Sequence, residues 1–200
     1  MVFVFDIDDT ICETDEYSEK YIKEFIKKNN LPYKQIAKNV RFAEYKFDWT
    51  NEQALEWYKN YGDEMALNFP IKGNAVKAIN QLFDAGHTII FSTARSTDWH
   101  VEPMGITLKW FKKVGLKFTD IVIGRTDKEE VCKTFNADVF VDDDIKTVLR
   151  VEEMFNKLGK GKVFLAESNY NKTLEIPKHI EIIKDLDEIY NYLNSNDLAL

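Results

Sequence analysis

Cysteine is scarce in this chain of 200 residues: Cys12 and Cys132 are the two it has. They are too few for a disulfide framework and lack the spacing of a metal site, so a reduced, intracellular and cytoplasmic setting is expected. Histidine is also sparse, and His87, His100 and His179 stand too far apart to suggest a ligand set. No apolar run approaches the roughly 20 residues needed to span a bilayer, which argues against a membrane segment. The start, Met1-Val2-Phe3-Val4-Phe5-Asp6, has neither a basic opening nor a long apolar region with a cleavage site, so no signal peptide is expected. Positive charge is not in surplus: the net charge is −7, which argues against duplex nucleic acid as a partner. A small phosphorylated substrate stays open, because a small anion needs only a local positive site. Linkers rich in Ser or Gly, repeats and low-complexity segments are missing too.

What is present is a soluble globular composition, with 44% hydrophobic and 30% charged residues. Short all-apolar runs of β-formers recur at Val2–Phe5, His87–Phe91, Ile121–Ile123, Asp138–Val141 and Lys162–Leu165. Such runs suit strands buried on both faces, as in a parallel sheet. Helical periodicity separates them over Asn74–Ala85, Ile106–Val114, Lys128–Phe135 and Ile145–Leu158, with a last helix over Leu186–Leu193. The alternation predicts a doubly wound, Rossmann-like α/β domain: a parallel sheet flanked by helices. Residues 14–70 break the pattern. Helical spacing returns over Tyr17–Lys28 and Asn51–Leu67, and Trp49, Trp57, Tyr58, Tyr61 and Phe69 crowd the region. The expectation is a core built from 1–13 and 71–200, with a small, mainly helical cap over 14–70 inserted after the first strand.

Ligands of open parallel sheets sit beyond the carboxyl ends of the strands. Four features fall there. Asp6, Asp8 and Asp9 follow the first strand, and Ser92-Thr93-Ala94-Arg95 follows the second. Lys128 opens the helix after the third, and Asp142, Asp143 and Asp144 follow the fourth. Taken singly, each is an ordinary loop feature, since Asp is common in turns and at helix N-caps. Together they are carboxylates crowded at one edge, which repel one another unless a cation neutralises them. Oxygen ligands without His or Cys favour Mg²⁺.

The order and wording of these features resemble the haloacid dehalogenase-like phosphohydrolase superfamily. Its Asp-x-Asp-x-Thr motif matches Asp6-Ile7-Asp8-Asp9-Thr10. Its hydroxyl residue at a strand end matches Thr93, its lysine matches Lys128, and its acidic pair matches Asp142-Asp143. The resemblance implies that Asp6 is a nucleophile forming an aspartyl-phosphate and that Asp8 protonates the leaving oxygen and then activates water. Mg²⁺ would be held by the Asp6 carboxylate, the Asp8 carbonyl and an acid of the last motif, with Asp143 favoured over Asp142. Thr93, Ala94 and Lys128 are expected substrate contacts, and Arg95, two residues past Thr93, either binds an oxyanion of the substrate through its guanidinium or is an exposed loop arginine. Lys133 is a rival to Lys128 but reads as a solvated face residue. Asp9 stands where glycine is commonest in the superfamily, and Asp144 could cap the next helix. Cys12 reads as packing, and Arg125 as a loop residue.

The run Cys132-Lys133-x-x-Asn136-Ala137-Asp138-Val-Phe-Val-Asp-Asp, and Asn169-Tyr170-Asn171-Lys172 after the fifth strand, are similar to the 5′(3′)-deoxyribonucleotidase-like branch. That resemblance implies a (deoxy)nucleoside monophosphate as substrate. The cap aromatics could stack a base or simply pack the cap. A sugar phosphate, a nucleic-acid end, or a non-enzymatic phosphate-binding role stand as alternatives.

Overall fold

The structure is a computed structural model and describes residues 1–37, 40 and 43–195. Residues 38, 39, 41 and 42, within the segment expected to form the cap, and 196–200, at the end of the expected core, lie outside the described residues. The elements run β1 (Val2–Phe5), α1 (Thr14–Lys28), α2 (Ala43–Phe47), α3 (Asn51–Asn68), α4 (Ala75–Asp84), β2 (Thr88–Thr93), α5 (Pro103–Val114) and β3 (Asp120–Ile123). Then follow α6 (Lys128–Thr134), β4 (Val139–Asp142), α7 (Ile145–Leu158), β5 (Lys162–Ala166), β6 (Glu181–Ile183), a 3₁₀ turn (Leu186–Glu188) and α8 (Ile189–Ser195).

Among the described residues the strands form one six-stranded sheet in the order β3-β2-β1-β4-β5-β6. Each neighbouring pair is parallel. The fold is therefore the expected doubly wound α/β architecture. Helices cover both faces because adjacent strand residues point opposite ways. Phe3, Phe5, Phe91 and Phe164 share one apolar cluster with Ala78, Ile79, Trp110 and Phe111 of α4 and α5. Val4, Ile90, Phe140 and Val163 share the other with Val131, Val148, Val151 and Phe155 of α6 and α7. Each such ring or aliphatic chain, wholly buried, contributes about 1.5–3 kcal/mol. Among the described residues no helix is long and apolar enough to cross a membrane.

Strand order reverses at β1, which pairs with β2 on one side and β4 on the other. A crevice opens at such a switch point, beyond the carboxyl ends of the strands. The register sets Phe5 opposite both Phe91 and Val141, so Asp6 and Asp142 emerge side by side. Between β1 and α4 the helices α1, α2 and α3 pack through their own aromatic core. Trp49 is buried there, its ring centroid 5.0 Å from that of Phe25, 5.8 Å from Phe47 and 5.9 Å from Trp57. Thr50 and Gln53 close a reciprocal capping box at the start of α3. Two elements differ from the sequence reading. The short strand β6 and the five-residue α2 were not expected, since neither is long enough to show a period.

Candidate active site

The ends of β1 and β4 build the centre. Asp6 is held by its own backbone, whose N–H donates to the Val141 carbonyl at 2.9 Å. Lys128, at the first position of α6, reaches in and donates to the Asp6 carboxylate and to Asp142 Oδ2, the latter at 2.8 Å. Burial alone would lower the pKa of the Lys128 ammonium. The charges of Asp142 and Asp6 outweigh it, and the net displacement is upward. Lys128 is therefore a fixed cation at neutral pH. Lys133, its rival by sequence, lies exposed against Glu130.

Asp6, Asp142 and Asp143 each offer a carboxylate oxygen, and these atoms lie within 4.8 Å of one another. All three residues are buried. Three buried carboxylates exceed what one ammonium offsets, and a donor set of oxygen alone fits a hard divalent cation. Asp142 is held on both oxygens: Oδ2 takes Lys128 and Oδ1 takes the Asp144 N–H at 2.8 Å. Asp143 is steadied from below. The buried Asn171 side chain donates to the Asp143 carbonyl and to the Ala166 carbonyl, both at 2.9 Å, and accepts from the Ser168 N–H at 2.8 Å. Lys72 adds a brace between loops by donating to the carbonyls of Asp9, at 2.7 Å, and Glu167.

Arg95 lines the cavity next to the site and is engaged with Asp8. It is 2% exposed, and its guanidinium forks the Asp8 carboxylate, Nε to Oδ2 at 2.9 Å and Nη2 to Oδ1 at 2.7 Å. Nη1 donates to Thr107 Oγ1 at 3.2 Å. The rings of Phe69 and Trp110 flank it, their centroids 5.7 and 5.9 Å away. A planar fork of this kind fixes a carboxylate in position as well as in charge. Thr93 is buried at the end of β2, with Oγ1 accepting from the Arg95 N–H at 3.3 Å, and Ala94 lines the neighbouring cavity.

Asp9 has φ of 57°, the left-handed conformation that glycine adopts at least cost. An aspartate tolerates it when its side chain bonds locally. Here Oδ1 accepts the N–H groups of Thr14, at 2.9 Å, and Asp15, at 3.0 Å. Asp9 thus caps α1, whose formal N-cap residue Glu13 makes no side-chain cap bond. Asp144 caps α7 by accepting from the Lys146 N–H at 3.0 Å. Cys12 is fully buried, and burial pushes its thiol well up.

A cavity of about 300 Å³ adjoins these groups, between the sheet edge and the inserted helices. Asp8, Thr93 and Arg95 face it from the sheet, and Trp57, Tyr58 and Met65 face it from α3. Trp99 and His100, which the sequence reading left without a role, close its side. Their position after β2, at the carboxyl edge of the sheet, is the signal that could have marked them. The Tyr58 and Trp99 rings stack with centroids 5.6 Å apart at 28°. His100 Nδ1 lies 3.2 Å from Asp63 Oδ1, which also accepts the Val101 N–H at 3.3 Å, so ring stacking and hydrogen bonds join α3 to the segment after β2.

No family model matches the chain. A protein of Halalkalibacterium halodurans named as a candidate nucleotidase is 27% identical over 124 residues, which is 62% of this chain and 59% of that protein. The chain thus spans less than two thirds of that relative's length. Among solved structures, a haloacid dehalogenase-like family hydrolase of Streptococcus pneumoniae superimposes with a TM-score of 0.69. It has 13% identity, and the match covers 96% of this chain and 97% of that one. A candidate HAD-hydrolase of Bacillus subtilis, solved bound to magnesium, gives a TM-score of 0.61 at 16% identity over 96% and 98% of the two chains. The crevice at the β1–β4 switch point and these superpositions over nearly the whole chain lead to one conclusion: the chain has the haloacid dehalogenase-like fold.

Proposed function

We propose that the chain is a Mg²⁺-dependent phosphomonoester hydrolase of the haloacid dehalogenase-like superfamily, working through an aspartyl-phosphate on Asp6. The observation that carries this reading is the contact of Lys128 with the Asp6 carboxylate inside a buried cluster of three acids. A carboxylate set among like charges and steadied by an ammonium, two residues before the Asp8 that lines a cavity, is poised to attack an electrophile rather than to stabilise the fold.

In the first step an Asp6 oxygen attacks phosphorus. The bond to the leaving oxygen breaks, its electron pair stays on that oxygen, and Asp8 supplies the proton. In the second step water attacks the same phosphorus, Asp8 takes the water's proton, and phosphate leaves with Asp6 restored. Asp8 enters the first step protonated and leaves it charged; Arg95 pairs with that charged form, which then accepts the water's proton and is ready for the next ester. Thr93 donates to a phosphoryl oxygen, and Lys128 offsets the charge of Asp6 and the phosphate. Asp6, Asp143 and the Asp8 carbonyl would hold Mg²⁺, with Asp142 kept for Lys128. Bound there, the ion would neutralise charge that develops on the phosphoryl oxygens. The mainly helical insertion over 14–70 acts as a cap that covers the leaving group.

A (deoxy)nucleoside monophosphate is the leading substrate. The cavity's aromatic wall supports that choice, as does the partial likeness to a protein named as a candidate nucleotidase. The reduced cysteines and the site's small-molecule scale suit an enzyme of the cytoplasm. The test is a panel of nucleoside monophosphates, sugar phosphates and an aryl phosphate, assayed for phosphate release with Mg²⁺ and with a chelator. Mg²⁺-dependent release from at least one member is expected. A folded protein that turns over none of them would overturn the reading.

A further inference from the structure

The cavity beside Asp8 has a charge pattern that bears on what can leave. Trp57, Tyr58, Met65 and Trp99 make its walls apolar. Among the described residues that line it, Arg95 is the one with a permanent positive charge, and its fork is closed on Asp8. The remaining fixed charges on the lining are acidic: Asp9, Asp15 and Asp144. Lys46 stands behind Asp15 at 3.2 Å and is shared with Glu19 at 3.3 Å, so it is buried between two carboxylates. Lys128 is likewise occupied by Asp6 and Asp142. Burial, with the nearby charge of Arg95, holds His100 below its ordinary pKa, so it adds no positive charge at neutral pH.

We infer that this cavity receives the leaving group and rejects one that carries a second anionic group. The inference rests on the phosphatase reading and deepens it. The favoured esters have a neutral leaving group with a flat ring, such as a nucleoside. Bisphosphates and carboxylated esters are disfavoured. Two physical terms act in the same direction. A second anion would lose hydration against aromatic walls, and among the described lining residues it would face carboxylates whose one permanent cation, Arg95, is already forked to Asp8. A neutral ring loses little on entry and gains stacking with the rings that line the wall.

The experiment compares kcat/KM, at fixed free Mg²⁺, for a nucleoside 5′-monophosphate against its 3′,5′-bisphosphate. A second pair is an aryl phosphate with and without a carboxylate on the ring. The neutral member of each pair is expected to be better by about tenfold or more. Asp15→Asn and Asp15→Ser each remove one carboxylate from the rim and leave Lys46 less neutralised, so the ratio is expected to narrow several-fold in both. Equal turnover within the pairs, or a ratio unmoved in the folded Asp15 variants, would overturn the inference. If no ester is turned over, the phosphatase reading fails by itself. Calorimetric binding of the same pairs to the Asp6→Asn protein then decides this point. Tighter binding of the neutral member sustains the inference, and equal or tighter binding of the anionic member overturns it.

Discussion

At the scale of single residues the fork between Arg95 and Asp8 does the most with the least exposure. Removing the guanidinium leaves a carboxylate without its partner at the edge of a buried site, and leaves a void between Phe69 and Trp110. Arg95→Leu is therefore expected to cost about 3 kcal/mol of stability, and Arg95→Lys less, since it keeps the charge but loses the fork. Urea unfolding measures both. A loss in Arg95→Leu within about 0.5 kcal/mol, the range of an ordinary surface change, would show that the pair does not hold the loop. Turnover should fall in both variants, because Asp8 loses its orientation. This fork was not legible in the sequence. Arg95 follows Thr93 closely enough to suggest an anion contact, but its partner lies 87 residues away and is chosen by tertiary packing. The same holds for Asp9: its departure from glycine was visible, whereas its left-handed backbone and its capping of α1 needed the fold.

At the scale of elements, α3 and the segment after β2 meet closely at Gly62. A Cβ there would lie 2.5 Å from the Trp99 carbonyl oxygen, a backbone atom that cannot turn away. Gly62→Ala is expected to push α3 off this segment, at about 1–3 kcal/mol, and to raise KM more than it lowers kcat. Steady-state kinetics with thermal melts would check this, and an unchanged KM would mean the two elements are not joined in the working enzyme. The strands were largely legible, because β1, β2, β4 and β5 are buried on both faces and read as unbroken apolar runs. Strand β6 escaped because two of its three residues, Glu181 and Ile182, are exposed at the sheet edge. Helix α2 escaped because five residues do not complete two turns. Thr93 and the acids after β1 and β4 could be singled out because each stands close to where an apolar run stops, and Lys128 because it opens the helix that follows such a run.

At the scale of the whole molecule, acidification should weaken the fold. Burial lowers the pKa of His100, aided by Arg95, and burial lowers that of His87, aided by the N-terminal ammonium. Both then lie below the ordinary 6.5 in the folded state. The unfolded chain binds more protons as pH falls below 6.5, so stability is fully present above that value and is lost as pH drops toward the folded pKa values. The melting temperature is expected to fall between pH 7 and pH 5, by less in His100→Gln. A flat profile, or a steeper one in His100→Gln, would contradict this.

Asp6 is the residue proposed to take the phosphoryl group. Quenching the protein in acid during turnover, then digesting it and weighing the peptides, tests that directly. One phosphoryl group is expected on the peptide that holds Asp6, with no label in Asp6→Asn and kcat down about 10³-fold or more. Turnover near the wild-type rate in Asp6→Asn, or a phosphoryl group on any other residue, would contradict it.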